Sequence, residues 1–329
     1  MTETTKTRTL FAPEELQPQS GFPTPSRCAE TLAALGPWNE ALRSIYVHNP
    51  NHRSVLAALD TVMALGTGKD RYAVRNSAVS YAGKSAAADA FARIIRDRST
   101  HPADSRPVVR VELEQACTSR RFWETILHAY GDGFTSKKDE NGLRRSAYEA
   151  FERHGTALLI VDEIQHAGYR SQGSSAATDV IKRFISDGQV GIGLFGNEHA
   201  RELLVANNQL SHRMLPPCDI KPLDLSDTKQ QKTFGTFLRK YDEALRAKRL
   251  FTESSNLHDA RTAACLMAVS SGYLGRTVAL LQVAARHAFQ RKAGRIDVHD
   301  LSHATSTWAV EQKLTASDPF RFGIAKSNA

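Results

Sequence analysis

The sequence predicts an α/β fold, in which a parallel sheet is flanked by helices and is followed by a separate helical C-terminal domain. Between residues 71 and 221, short apolar runs alternate with longer amphipathic segments, which is typical of a parallel sheet covered by helices. After residue 225 only amphipathic helical patterns remain. The 329 residues, of which 41% are hydrophobic and 24% charged, fit a globular protein of about two domains.

Each predicted element follows from its hydrophobic spacing. Apolar residues recur every three or four positions between residues 29 and 65, which predicts two helices separated by a break at residues 48–51. The predicted strands span residues 71–79, 107–113, 156–162, 190–195 and 218–221. The helices predicted between them span residues 85–97, 122–130, 143–153 and 178–184. The C-terminal helices are predicted at residues 228–249, 258–270, 274–291 and 298–309.

These patterns divide the chain into four parts. We expect an extended arm at residues 1–28, N-terminal helices and the αβα core at 29–225, a basic helical domain at 226–310 and a flexible tail at 311–329. Residues 226–329 carry a net charge of +7, which is most of the chain's total of +8. This basic excess is typical of a polyanion-binding surface, but a solubilising helical exterior has the same pattern, and charge alone favours the latter.

Several classes of protein are excluded by composition. No apolar run approaches the roughly 18 residues of a transmembrane helix, and the first residues contain no apolar segment of a signal peptide. The four cysteines, Cys28, Cys117, Cys218 and Cys265, are far apart and form no CxxC pair, so neither a disulfide framework nor a zinc site is expected. We therefore expect a cytoplasmic protein with reduced thiols and no membrane partner.

A phosphate-binding loop is predicted at residues 78–85, which read AVSYAGKS between a predicted strand and a helix. Such a loop directs backbone N–H groups and a helix N-terminus at an anion. Lys84 would contact the terminal phosphates of a nucleotide, and the Ser85 hydroxyl would bind Mg²⁺. The first position of such loops is normally Gly, so Ala78 narrows the permitted geometry of the turn. The predicted nucleotide-binding residues of this segment are Ala78, Ser80, Tyr81, Ala82, Gly83, Lys84 and Ser85.

Two further strand ends carry polar residues that suit the same chemistry. Residues 158–163 read LLIVDE, and there Asp162 would bind Mg²⁺ while Glu163 would orient or deprotonate the attacking water. A strand followed by an acidic helix cap has the same pattern, but the order and context of the two motifs favour the phosphate-site interpretation. Asn197, after the run GIGLFG, can hydrogen-bond the water and the γ-phosphate, or cap the next helix, or do both.

The order of these motifs resembles the P-loop AAA+ ATPases and, more closely, the TniB/TnsC transposition regulators. The resemblance rests on GKS, LLIVDEIQHAG, GIGLFGNEHA and LSHRMLP, and it covers roughly residues 30–310. It is supported by SRRFWETIL at residues 119–127, NQLSHRM at 208–214, SGYLGRTVALLQVAARHAF at 271–289 and the pair Ile296-Asp297 before the last helix.

The resemblance implies an AAA+ sheet with an α-helical lid and assigns roles to further residues. Asn197 matches the sensor-1 position, Arg213 matches the arginine that reaches a neighbouring subunit's ATP site, and Arg276 matches the sensor-2 position of the lid. Without the resemblance, Arg213 would be interpreted as a salt-bridged surface residue. Asp318–Phe320 resembles a short Asn-Pro-Phe segment near the end of related chains, although three residues also fit a tail without a role.

Related ATPases form rings or helical filaments around duplex DNA and contact its phosphates with Lys and Arg. The candidates for such contacts are Arg120, Arg121, Lys137, Lys138, Arg144 and Arg145. For each of them a solvated surface charge is the alternative interpretation.

The resemblance therefore implies an ATP- and Mg²⁺-dependent regulator of DNA transposition. It would assemble with copies of itself on target DNA and link a target-selector protein to a transposase, with slow ATP hydrolysis stimulated by DNA or partners. Two alternatives remain open from the residues. One is an ATP-gated scaffold with little turnover, suggested by Ala78, and the other is an AAA+ loader or defence ATPase of another system.

Overall fold

A computed structural model describes residues 25–65, 72–98, 102, 104–133, 138–168, 176–205, 214–224 and 226–324. The chain forms two units, residues 1–44 and residues 45–329. In the first unit, helix α1 spans Pro25–Arg43. The helix begins before the predicted end of the extended arm at residue 28, because Pro25 has the backbone angle that suits a first helical position.

The second unit contains a four-stranded parallel sheet. Its strands are β1 (Ala73–Ser77), β2 (Val108–Glu112), β3 (Leu158–Asp162) and β4 (Gly191–Gly196), and their order in the sheet is β1-β4-β3-β2. This confirms the predicted parallel α/β fold. The carboxyl ends of β1, β4 and β3 lie side by side, so the segments that follow these strands share one edge of the sheet.

Helices cover both faces of the sheet. On one face lie α2 (Pro50–Leu65) and α3 (Lys84–Arg98), and on the other lie α4 (Ser119–Ala129), α5 (Glu140–Arg153), α6 (Ala176–Asp187) and α7 (Glu198–Val205). Strand β3 is buried on both sides, since Leu158 and Ile160 pack with α2 and α3 whereas Leu159 and Val161 pack with α4 to α7. Double burial explains why its sequence is continuously apolar rather than alternating.

The predicted fifth strand at residues 218–221 does not form, and the prediction is wrong. The described segment 214–219 instead runs along β1, where Leu215 N–H donates to Ala73 O at 2.8 Å and Cys218 N–H donates to Arg75 O at 2.9 Å. Between these two bonds lie Pro216 and Pro217, which have no N–H to donate, so a regular ladder is interrupted.

The C-terminal part of the second unit is helical, as predicted. It contains α8 (Thr228–Ala247), α9 (Ala260–Ser270), α10 (Leu274–Gln290), α11 (Val298–Ala304), a π-helical turn (Thr305–Ala309) and α12 (Pro319–Phe322). Among the described helices none is by itself long and apolar enough to cross a membrane. Helices α9 and α10 meet that length and composition test only as a pair, which is bent by 112°.

The tail predicted to be flexible, residues 311–329, includes helix α12 and a buried carboxylate, Asp318. Asp318 is buried and caps α12 by accepting the Phe320 N–H at 2.9 Å, and it also accepts hydrogen bonds from Ser302 and Ser306 of the preceding helices. Pro319 and Phe320 are buried with it. The acidic N-cap and its two serine partners therefore fold this segment back onto the helical domain.

The helical domain contacts the sheet domain through backbone at Gly275. A Cβ atom on Gly275 would lie 2.3 Å from Tyr81 O and 2.5 Å from Gly83 N, which is closer than any side chain allows. The first turn of α10 therefore rests directly on the loop between β1 and α3, and this contact requires glycine.

We expect Gly275→Ala to destabilise the protein by about 1–3 kcal/mol, because the methyl group forces the two backbones apart. Gly235→Ala is the matched control, since Gly235 lies within α8 and a Cβ there meets no atom within 4 Å. The control should be neutral or stabilising by up to about 1 kcal/mol. Urea denaturation measures both changes, and equal stabilities of the two variants would contradict the contact.

A buried carboxylate organises the C-terminal helices. Asp300 accepts hydrogen bonds from Arg291 Nε and Nη2, both at 2.7 Å, from His287 Nδ1 at 2.6 Å and from the Asp297 N–H at 2.8 Å. Burial raises the pKa of Asp300, but the hydrogen bonds, those from Arg291 foremost, outweigh burial and hold the pKa below its ordinary value. The ionised form of Asp300 thus joins α10 to the start of α11.

We expect Asp300→Asn to lower the free energy of unfolding at pH 7 by about 1–3 kcal/mol. A depressed pKa contributes stability that is present above the unfolded-state pKa of about 3.9 and is lost as pH falls through the lower folded-state value. The deficit of the variant should therefore shrink as the pH is lowered below about 4. Urea titrations of both proteins between pH 7 and pH values below about 4 measure this difference in the free energy of unfolding. A difference that does not depend on pH would refute the role of the carboxylate charge.

Candidate nucleotide-binding site

The predicted phosphate loop lies between the end of β1 and the start of α3. Its backbone turns through left-handed angles at Tyr81 (φ 61°) and Gly83 (φ 105°). The Ala82 N–H donates to Val79 O at 3.2 Å, and the Ala87 N–H donates to Gly83 O, which begins the helix. The loop thus leads into a helix N-terminus, the arrangement that a phosphate group requires.

Ala78 does not obstruct the loop. It is not among the residues with positive φ, and its N–H continues the sheet by donating to Gly196 O at 3.1 Å. Its methyl group packs into the apolar layer beneath α3. The expected narrowing of the turn by Ala in place of Gly therefore does not arise, because this position does not use the conformations that only Gly adopts freely.

Lys84 is the cation of the loop. Its side chain is 8% exposed, and its Nζ donates to Ala78 O at 2.8 Å and to Val79 O at 3.2 Å. Burial lowers the pKa of Lys84, and the nearby carboxylates of Glu163 and Asp162 oppose that shift. The side chain therefore lies within the loop, on the side that faces these acidic residues.

Asp162, at the end of β3, holds together three elements around this loop. The carboxylate is 2% exposed, and its Oδ2 accepts the Ser85 hydroxyl at 3.0 Å and Arg110 Nη2 at 2.8 Å. Its Oδ1 accepts the Glu163 N–H at 3.0 Å. Hydroxyl and carboxylate oxygens are the protein ligands that Mg²⁺ accepts beside phosphates and waters, so Ser85 and Asp162 fit the predicted metal role. Within the described residues there is no group of three His, Cys, Asp or Glu that could hold a metal without a ligand's help.

Glu163 and Asn197 are joined by a residue that the sequence reasoning missed. Gln165 Nε2 donates to the Glu163 carboxylate, and Gln165 Oε1 accepts the Asn197 N–H at 3.2 Å. The Asn197 side-chain oxygen accepts the N–H groups of His199 and Ala200 and so caps α7. A Cβ on Gly196 would lie 2.6 Å from Gln165 Oε1, so glycine at this position makes room for the bridge.

The helical domain closes the site from the other side. Arg276 Nε makes a long hydrogen bond of 3.5 Å to Ser80 O, and its guanidinium lies 4.9 Å from the centre of the Tyr273 ring. Tyr81 of the loop contacts Trp308 edge to face, with ring centres 5.5 Å apart. Two side chains of the helical domain thus touch the loop beside the backbone contact at Gly275.

Within the second unit, a cleft of about 480 Å³ lies between the sheet domain and the helical domain. This size suits a small-molecule ligand. One end is polar and includes Lys84, Ser85, Glu163 and Asn197. The lining away from the phosphate loop, here called the apolar end, consists mostly of Ile45, Val47, Phe237, Tyr241, Leu274 and Val278, with the polar groups of Tyr46, Asn49 and His52 among them. A ligand with phosphates at one end and an aromatic ring at the other matches this polarity.

The sequence reasoning missed the apolar end of the cleft and Arg110. The apolar residues lie far apart in the chain, and only the fold joins them. Arg110 did carry a signal, because a cation within a predicted buried strand needs a carboxylate partner, which here is Asp162.

The predicted DNA-contacting residues are mostly engaged with neighbouring acidic residues. Ion pairs join Arg120 and Arg121 to Glu124, Lys138 to Asp132 and Arg144 to Asp187, at 2.9, 3.5, 3.9 and 3.8 Å. Arg145 is exposed on α5. Lys137 and the predicted intersubunit residue Arg213 lie outside the described residues.

Solved structures with a similar fold include the ORC1 protein of Aeropyrum pernix in complex with DNA, with a TM-score of 0.56 and 17% identity over 82% of this chain and 68% of that chain. The CDC6P structure from Pyrobaculum aerophilum has a TM-score of 0.56 and 12% identity over 82% and 70% of the two chains. The Aeropyrum pernix ORC2 protein in ADPNP-ADP complexes has a TM-score of 0.53 and 12% identity over 82% and 71%. At these identities the likeness establishes the fold, a P-loop AAA+ core with a C-terminal helical domain.

No curated protein matches the chain by sequence. The family model of the bacterial TniB protein, however, matches residues 39–218. This range includes all four strands, the phosphate loop, Asp162, Glu163 and Asn197. Because the match covers more than half of the chain, this protein is a member of the TniB family.

Proposed function

We propose that this protein is an ATP-hydrolysing, DNA-binding regulator of DNA transposition. The observation that carries the proposal is the convergence of Lys84, Ser85, Asp162, Glu163 and Asn197 at one edge of the sheet, where all of these except the buried Asp162 line a cleft that also has an apolar end. In this proposal the ATP-bound protein assembles with copies of itself on target DNA and links a target-selector protein to a transposase. Its membership in the TniB family and the DNA in the ORC1 complex of the same fold support the proposal.

Nucleotide binding would use both ends of the cleft. The loop N–H groups and Lys84 would take the phosphates, and the apolar end would take the base. Ser85 and Asp162 would hold Mg²⁺, which when bound supplies positive charge against the phosphate oxygens. Arg276, which already lies against Ser80, would reach the same phosphates from the lid.

Hydrolysis would depend on Glu163, which would orient the attacking water and accept its proton. Gln165 would keep the Glu163 carboxylate at the wall of the cleft through its amide. The side-chain oxygen of Asn197 is used by the helix cap, so its amide NH₂ is the group that would donate to the water or the γ-phosphate. Arg213 of an adjoining copy would complete the site, so nucleotide state and assembly would be linked.

A second candidate function, an ATP-gated scaffold with slow turnover, is favoured by Arg110. Its guanidinium contacts the same Asp162 oxygen that accepts the Ser85 hydroxyl. Because it lies 2.8 Å from Asp162 Oδ2, the Arg110 guanidinium competes with Mg²⁺ for this carboxylate. Turnover that rises when DNA is added would favour the hydrolysing regulator, and binding without turnover would favour the scaffold.

The proposal predicts nucleotide-dependent assembly on DNA. With a slowly hydrolysed ATP analogue, electron microscopy should show rings or filaments on duplex DNA. Lys84→Ala should lose them, because its affinity for the analogue falls by at least about tenfold, or ~1.4 kcal/mol. Lys182→Ala, at an exposed ion pair on α6, is the control and should assemble as the wild type does. Assembly on DNA that does not depend on nucleotide or on Lys84 would refute the proposal.

The bridge through Gln165 predicts a specific kinetic pattern. Glu163→Gln should lower kcat by at least about 100-fold while nucleotide binding persists. Gln165→Met keeps the length of the side chain but removes the amide, and it should lower kcat by about tenfold with KM unchanged. In the Glu163→Gln background the same change should have no further effect, because Gln165 acts through Glu163.

Gln189→Met, at an exposed position between α6 and β4, is the matched control and should keep the wild-type kcat. If the effects of Glu163→Gln and Gln165→Met multiply fully in the double variant, Gln165 does not act through Glu163.

A further inference from the structure

A second groove in the structure, apart from the nucleotide cleft, lies between α2 of the core and α8 of the helical domain. It has a volume of about 450 Å³. Its lining includes four basic side chains, His48, Arg53, Lys232 and Lys240, over an apolar floor that contains Phe237. No carboxylate is among the described residues that line it. The groove is therefore a positively charged surface.

The three permanently charged side chains of the groove differ in their ion pairing from the residues that the sequence predicts to contact DNA. Arg53, Lys232 and Lys240 are exposed, and none of them forms an ion pair with a carboxylate within the part of the chain that the structure describes. By contrast, Arg120, Arg121, Lys138 and Arg144 each have a carboxylate within 4.0 Å. A paired cation must give up its carboxylate to bind a phosphate, whereas an unpaired one displaces only water and counterions.

The spacing of these cations suits a chain of phosphates. Lys232, Thr236 and Lys240 recur every fourth residue, so they follow one stripe of α8. At a rise of 1.5 Å per residue, the two lysines are separated by about 12 Å along the helix axis, which spans about three successive phosphates of one DNA strand. Arg53 lies on the opposite wall, on α2.

The groove also shares a wall with the nucleotide cleft. Phe237 of α8 and Asn49, just before α2, line both cavities. Phe237 is 5% exposed and is held between them. A ligand that fixes the distance between α2 and α8 in one cavity therefore constrains the other, and by linkage the two ligands must affect each other's affinity equally.

We infer that the groove between α2 and α8 binds the sugar–phosphate backbone of duplex DNA and couples that binding to nucleotide in the adjoining cleft. This inference rests on the proposed DNA-binding function and identifies the surface that performs it. Arg53, Lys232 and Lys240 contact phosphates, so the surface contributes affinity but reads no base sequence. The groove joins the core to the helical domain, so DNA bound there holds the two together in the same way as nucleotide does.

The test compares two triple variants of the full chain that remove the same charge. Arg53→Gln, Lys232→Gln and Lys240→Gln together neutralise the groove. Arg246→Gln, Lys248→Gln and Arg249→Gln together neutralise three exposed cations in the last turn of α8 and just after it, outside the groove. Fluorescence anisotropy of a short labelled duplex measures binding over a range of salt concentrations, with and without a slowly hydrolysed ATP analogue.

We expect the groove variant to bind duplex DNA at least about tenfold more weakly, with a slope of log affinity against log salt reduced by about 2–3, because about 0.9 is lost for each phosphate contact. The control variant should lose much less of its affinity for duplex DNA. The analogue should increase the DNA affinity of the wild type, and this gain should shrink in the groove variant while its own affinity for the analogue without DNA stays at the wild-type value.

Other outcomes overturn the inference in distinguishable ways. Equal losses in both triple variants would show a general effect of net charge. Polyglutamate that binds as tightly as DNA and is lost equally in the groove variant would assign the groove to an acidic protein. If the wild type binds no duplex DNA while Lys84-dependent binding of the analogue persists, the DNA-binding part of the proposed function fails together with this inference.

Discussion

The backbone contact between Gly275 and the phosphate loop is the constraint on which the rest of the site depends. At this point no side chain fits between the first turn of α10 and residues 81–83. The contact places Leu274 and Val278 at the apolar end of the cleft and Arg276 beside Ser80. The cleft is therefore formed by two domains, and its width is determined by how closely two stretches of backbone approach. A side chain that moved α10 by an ångström would change both ends of the cleft together.

The polar end of the cleft follows from the order of the strands. Because β4 lies between β1 and β3, the loop after β1, Asn197 after β4, and Asp162 and Glu163 at β3 reach the same edge. The sequence predicts Asp162, Glu163 and Asn197 because they stand at the ends of continuously apolar runs, the signature that burial on both faces leaves in a parallel sheet, whereas it predicts the loop after β1 from the residues AVSYAGKS. The spacing of the motifs does not contain the strand order. The hydrogen bonding in the sheet shows that order.

The structure adds to or departs from the sequence-based expectations where a neighbouring residue, near or distant in the chain, removes or supplies a partner. Residues 218–221 have the composition of a strand, but the neighbouring Pro216 and Pro217 remove the donors that a ladder needs. The tail was expected to be flexible, and in it Asp318 accepts hydrogen bonds from serines of the preceding helices. For Arg144 the charge is visible in the sequence, but only the fold shows that Asp187 pairs with it, whereas the partner of Arg120, Glu124, lies four residues further along the same helix. Whether a basic side chain is paired with a carboxylate depends on its neighbours in the folded chain. Counts of basic residues therefore overestimate the number of cations that are available to a partner.

The same joint between core and helical domain links the nucleotide to surfaces beyond the cleft. Phe237 separates the cleft from the basic groove, and Tyr81 of the phosphate loop touches Trp308, which precedes the folded tail. Close-packed interiors transmit small displacements rather than absorbing them. A nucleotide that shifts α8 or Tyr81 must therefore also shift the wall of the basic groove or Trp308. In the proposed regulator, nucleotide binding would then act through the position of the helical domain. Slow hydrolysis would be compatible with this role, because the Arg110–Asp162 pair would limit turnover while the bound nucleotide still holds the two domains together.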